Sequence, residues 1–163
     1  MAPARQLSAL VAAAALALLG CGFHLQGRAP LPAVVKTPYV EAPDRQSDFV
    51  QSLRHALLSN GAQLVPDKAN ASAVISVLND QMTRRVLSVS AANQPNQYEV
   101  TYSVRVSVTA GQQELLPAQE VTVTRTFSFS EPLLLAKGHE EDVLREDMAR
   151  DLAERVLRLL SRL

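Results

Sequence analysis

Few residues in this chain could do chemistry, and their types narrow what that chemistry would be. Of the histidines, His24 lies three residues from Cys21, His55 falls off the apolar stripe of its helical pattern, and His139 opens the last one. Each reads as a surface or capping residue rather than a base. Glu140, Glu141 and Asp142 crowd a helix start, where the helix dipole already favours negative charge. No Gly-rich phosphate loop, HExxH or GxSxG motif occurs, so neither an active site nor a metal or cofactor site is read here. Arg84 and Arg85 are more suggestive. No acidic side chain falls between Asp80 and Glu99, so the pair makes a locally cationic strand end in a chain of 16 basic and 16 acidic residues. Guanidinium groups bind phosphate in bidentate fashion, which makes an anion site one reading; two solvated strand arginines are the other. Lys137, in the loop Leu135-Ala136-Lys137-Gly138, carries the same two readings.

These candidates must be positioned by the rest of the chain. Its 163 residues are 47% hydrophobic and 20% charged, enough apolar material for an ordinary folded domain, and the neutral balance excludes a broad nucleic-acid footprint. Aromatic residues make up only 4%, with no Trp, so stacking platforms for sugars or bases are scarce. The single Cys21 rules out a disulfide framework and a Cys-based zinc site. Its surroundings offer an explanation. A basic start is followed by a charge-free run from Leu7 to Leu19, shorter than the roughly 20 residues that span a bilayer, and this is the layout of a secretory signal. Leu18-Leu19-Gly20-Cys21 resembles a bacterial lipobox, so residues 1–20 are expected to be a lipoprotein signal peptide and Cys21 the lipidated residue. Each acyl methylene adds about 0.8 kcal/mol of membrane affinity. Gly22, where Asp commonly retains lipoproteins in the inner membrane, favours outer-membrane delivery facing the periplasm.

Residues 21–32 read as a lipidated tether and 33–163 as one domain. A strand interrupted at Pro38 is expected over 33–41, and a helix over 48–60 with Ser47 as N-cap and Asn60-Gly61 as its end. Residues 73–90 are rich in β-branched side chains, and 91–97 form a polar turn. From 98 to 109 Val100, Tyr102, Val104, Val106 and Val108 alternate with polar residues, the clearest strand of the chain. A turn over 110–118, a strand over 119–130 and a helix over 139–163 complete the pattern. Leu144, Met148, Leu152, Val156, Leu159, Leu160 and Leu163 share the stripe of this last helix and Leu157 falls outside it. Its Glu141/Arg145, Glu146/Arg150, Asp151/Arg155 and Glu154/Arg158 spacings suit i,i+4 pairs on a solvated face. The order β-α-β-β-β-α gives an α/β (α+β) two-layer sandwich: a four-stranded mixed sheet with two helices on one face, its first two strands parallel.

Three stretches resemble the LPS-assembly lipoprotein LptE family: Gly20-Cys21-Gly22-Phe23-His24-Leu25, Tyr98-Glu99-Val100, and Phe127 to Glu141, which reads FSFSEPLLLAKGHEE. The resemblance implies a non-catalytic subunit of the outer-membrane lipopolysaccharide translocon, held by its lipid anchor. Seated one-to-one inside the LptD β-barrel, it would plug the lumen and assist barrel assembly. It also implies lipopolysaccharide contact through a lysine before the last helix, matched by Lys137, and a basic residue between the second and third strands. The loop 91–97 has none, which leaves Arg84 and Arg85 to supply the charge. A different reading of the residues remains open: a free outer-membrane lipoprotein that binds peptidoglycan or assembly machinery.

Overall fold

The alternating residues that begin at Tyr98 form the middle of a sheet. A computed structural model describes residues 31–91, 93–128 and 137–163, with 128 and 137–140 described by their backbone alone. The expected signal peptide, Cys21, most of the expected tether and residues 129–136 lie outside them. The elements are β1 (Pro38–Glu41), α1 (Asp48–Ser59), β2 (Ala73–Val89), β3 (Pro95–Ala110), β4 (Gln113–Ser128) and α2 (Lys137–Leu160). The sheet runs β1-β2-β3-β4, with β1 parallel to β2 and the other neighbours antiparallel. This is the expected mixed sheet with two helices, in the expected order.

One face of the sheet makes the core. Val100, Tyr102, Val104, Val106 and Val108 of β3 are buried together with Ile75 and Val77 of β2 and Val121 and Val123 of β4. Against them pack Phe49, Val50, Leu53 and Leu57 of α1 and Met148, Leu152, Val156 and Leu160 of α2, all at most 1% exposed. The opposite face carries Thr101, Ser103, Arg105, Thr122 and Thr124, and no helix of the described residues covers it. Tyr102 sits in the core with its phenol pushed towards higher pKa by burial and, next, by the Asp80 carboxylate.

Local chemistry accounts for the element ends. Ser47 Oγ accepts from the Val50 amide at 3.3 Å and caps α1. At its other end Gly61, at φ 87°, donates to Leu58 O while Ala62 donates to Leu57 O, the two bonds of a Schellman closure that a residue with a Cβ would strain. Between β3 and β4 the chain reverses through Gly111-Gln112 alone, with Gly111 at φ 59°.

Several expected boundaries shift. Ala33–Val35 is a 3-10 turn, and the strand begins at Pro38 instead of breaking there, because β1 is an edge and a proline can open an edge strand. The turn after β2 is shorter than 91–97, with β3 starting at Pro95 and Asn93 taking φ 58°. β4 starts at Gln113 and runs through Pro117. Val106 pairs with Gln119 and Val108 with Leu116, so β4 carries one extra residue where Pro117 stands, a bulge on an edge strand that needs no ladder bond from proline. On α2, Leu157 is inside the buried stripe, because Ala149 and Ala153 widen it, while Leu163 lies past the helix end and is exposed.

The charges of α2 also pair differently from the expected i,i+4 ladder. Only Glu154–Arg158 forms, at 3.8 Å. Glu141 bonds Arg84 of β2, Asp151 bonds Arg125 of β4, Arg150 bonds Asp147, and Arg145 lies 3.9 Å from Asp48 of α1. Arg155 donates to Thr122 O at 3.1 Å. Partners on the sheet and on α1 stand within reach, and a side chain on a packed helix meets them as readily as its own i+4 neighbour.

Candidate functional site

The candidate residues converge on the end of the sheet farthest from β1. β1 pairs only with Ala73–Ser76, so the rest of β2 runs on beside β3 alone, reaching the β2–β3 turn at 90–94. In this region Arg84 lies opposite Val100, Arg85 opposite Glu99 and Val86 opposite Tyr98. Neighbours along a strand point to opposite faces, so the structure separates the two arginines: Arg84 shares the helix-side face of Val100, and Arg85 the open face.

Each guanidinium has a carboxylate. Arg84 Nη1 donates to Glu141 Oε1 at 2.7 Å, and its guanidinium carbon stands 5.1 Å from the centroid of the Tyr98 ring. That ring stacks on Phe127 with centroids 5.5 Å apart and planes 22° from parallel. On the other face Arg85 Nη2 donates to Glu99 Oε1 at 2.8 Å. The local positive charge inferred from residues 81–98 is therefore balanced by one carboxylate at strand distance and one from α2. Both arginines keep donors in reserve, since a guanidinium has five N–H groups and each ion pair here uses one nitrogen. Their side chains are 50% and 72% exposed, so a phosphate can reach them.

Beside Arg84 is a cleft of about 300 Å³, walled by Met82, Val100, Phe127 and Leu144 together with the Arg84–Glu141 pair. Its chemistry is amphipathic, with apolar walls and a cation. At the tip Val86, Leu87 and Val89 are exposed by 43% to 56%. Lys137 is the first residue of α2, not a loop residue, and Glu141, one helical turn on, bonds Arg84; the Lys137 side chain is outside the described ones, as are Cys21 and His24. His55 is exposed on α1. Among the described residues no cluster of three or more His, Cys, Asp or Glu is placed to hold a metal.

Sequence reasoning passed over three contributors. Tyr98 and Phe127 could have been found, since each continues by twos the buried series of its strand, Val100 and Tyr102 or Val121 and Val123. Glu141 could not, because 57 residues separate it from Arg84 and no local pattern joins them.

The model of the family described as LptE: Lipopolysaccharide-assembly matches residues 35–160, from the first turn of the domain to the last turn of α2. The chain belongs to the LptE family. The LPS-assembly lipoprotein LptE of Pectobacterium atrosepticum is 28% identical over 158 residues, which cover 96% of this chain and 85% of that protein. That of Photorhabdus laumondii is 27% identical over 157 residues, with 96% and 85% covered. Among solved structures, lipoprotein B of Nitrosomonas europaea aligns with a TM-score of 0.70 at 28% identity, covering 86% of this chain and 90% of its own. The rare lipoprotein B of Shewanella oneidensis, at 22% identity and a TM-score of 0.68 over 77% of this chain and 93% of its own, shares the fold. LptE membership gives this chain a role in lipopolysaccharide assembly as an envelope lipoprotein.

Proposed function

We propose that this LptE-family chain is the outer-membrane lipoprotein subunit of the lipopolysaccharide translocon, anchored through a lipid on Cys21. It sits one-to-one in the lumen of an LptD-type β-barrel, helps that barrel assemble, and contacts lipopolysaccharide through Lys137, Arg84 and Arg85. The observation that carries this reading is the family match over 35–160. The sheet's uncovered face supports it, because a hydroxyl-rich surface of Thr101, Ser103, Thr122 and Thr124 suits a hydrated lumen, whereas lipid contact needs an apolar band. A plug of this size would bury more than the roughly 1,600 Å² of a standard interface, which makes the complex obligate. No step in this role needs catalysis.

Glycolipid contact then falls at the end away from β1. Phosphates displace or share the carboxylates of Glu141 and Glu99, using the guanidinium donors left over, while Lys137 adds charge at the start of α2. Recovery of tagged full-length protein from its own outer membrane under stringent washing tests the first part. A large LptD-type barrel at near one-to-one ratio is expected; the lipoprotein alone, or with peptidoglycan fragments, would mean it is a free envelope lipoprotein. Lys137→Glu should lower lipopolysaccharide retained by the purified complex several-fold, and unchanged retention would remove Lys137 from the site.

A further inference from the structure

Backbone hydrogen bonding along β2 is complete on one side only. β1 stops at Glu41, opposite Ser76, and among the described residues no strand takes its place beside the rest of β2. Between the register shifts at Val77/Asn79 and Val86/Ser88, the stretch from Asn79 to Val86 pairs with β3 in unbroken register. It is roughly 26 Å long at about 3.3 Å per residue, and it contains neither proline nor lysine. Both edges carry charge, Asp80, Arg84 and Arg85 on β2 and Glu114, Glu120 and Arg125 on β4, but β4 alone adds a proline within a bulge, Pro117.

We propose that the outer edge of β2 from Asn79 to Val86 takes up an extended segment of a partner polypeptide as a fifth strand. A regular row of backbone N–H and C=O groups is matched by another strand and not by a lipid or a small ligand. Arg84 and Arg85 stand at one end of the stretch, and those of their donors that phosphate does not take favour acidic side chains there. A second copy of this chain fits less well, since it would bring another Arg84 and Arg85 to the seam with only one further Asp80 on the strand. The inference adds a mode of contact to the barrel reading and stands or falls separately from it.

Photo-cross-linking reads the register directly. Asn79, Gln81 and Thr83 are exposed, lie on one face of β2, and take no part in the core, so a benzophenone side chain at each leaves the packing intact. With the full chain in its own cell envelope, each probe should react with one polypeptide of different sequence. The site of attachment should move by two residues as the probe moves by two, and Thr122 and Thr124 on β4 should give no such ladder. Adducts to glycolipid alone, to a second copy of this chain, or to a polypeptide without stepwise register would overturn the proposal, as would none at all. A ladder on a polypeptide that is not a barrel would uphold the strand and overturn the barrel; a recovered barrel without a ladder would do the reverse.

Discussion

The two halves of the sheet are built from the same kind of sequence and end in opposite circumstances. Around Ile75, Val106 and Val108 both helices lie over one face and the apolar side chains are at most 2% exposed. Beyond Arg84, where Glu141 of α2 still reaches the strand, Val86, Leu87 and Val89 stand in the open. Alternation therefore specifies a strand and its two faces, while the reach of the covering helices decides whether the apolar face becomes core or surface. Stability is concentrated in the first half and the chemistry proposed above in the second.

The largest test of that contrast is truncation on either side of it. Leu53→Ala or Leu152→Ala should cost about 2–5 kcal/mol in urea unfolding, because each leaves a cavity between fully packed layers. Val86→Ala or Leu87→Ala should stay within about 0.5 kcal/mol. Equal losses at the two sites would mean that the open half is packed as tightly as the covered one. Alkaline unfolding sharpens the same point through Tyr102. Its folded pKa is raised, so its contribution is fully present below the unfolded value near 10 and is lost as pH rises from there towards the folded value. Tyr102→Phe should flatten that limb of the stability curve, and an unchanged limb would show that burial does not hold the phenol neutral.

Smaller effects are expected where single bonds hold the covering layer. Ser47→Ala removes the cap of α1 and should cost about 1 kcal/mol. Acid titration reaches the sheet edge, where Lys68 donates to Glu41 at 3.0 Å and Ser76 donates to it at 3.2 Å. The Lys68 hydrogen bond, ahead of opposing desolvation, lowers the Glu41 pKa, so its contribution is present above the ordinary carboxylate range and lost as pH falls through the folded value. Both groups are about half exposed, so the change should be well under 1 kcal/mol and should shrink in Lys68→Ala, where Ser76 and Arg45 still act on the carboxylate.

Most of the architecture was legible because each element announced itself locally. The alternation of residues 98–109 requires a strand, Ser47 and Asn60-Gly61 bracket α1, and the stripe through Met148, Leu152 and Val156 requires an amphipathic helix. Pro38 and Pro117 misled for a shared reason: proline discourages a central strand, and only the sheet order reveals that both lie on edges. The candidate site was legible in part. Arg84 and Arg85 stood out by composition, but the carboxylates that balance them depend on strand register and on where α2 crosses β2. The same limit explains the i,i+4 pairs: Glu141 and Asp151 are taken by arginines of the sheet that are near only in space, while Arg150 turns to Asp147 on its own helix.

The two-residue reversal at Gly111-Gln112 also orders events in time. Closing so short a loop sacrifices little chain entropy, and β3 and β4 can then zip from Ala110 and Gln113 outward. β1 instead reaches β2 only after α1 and the following 3-10 turn have been laid down between them. The β3–β4 hairpin is thus a place where pairing can begin at little entropic cost. β1, with four residues of parallel ladder, should dock last and fray first.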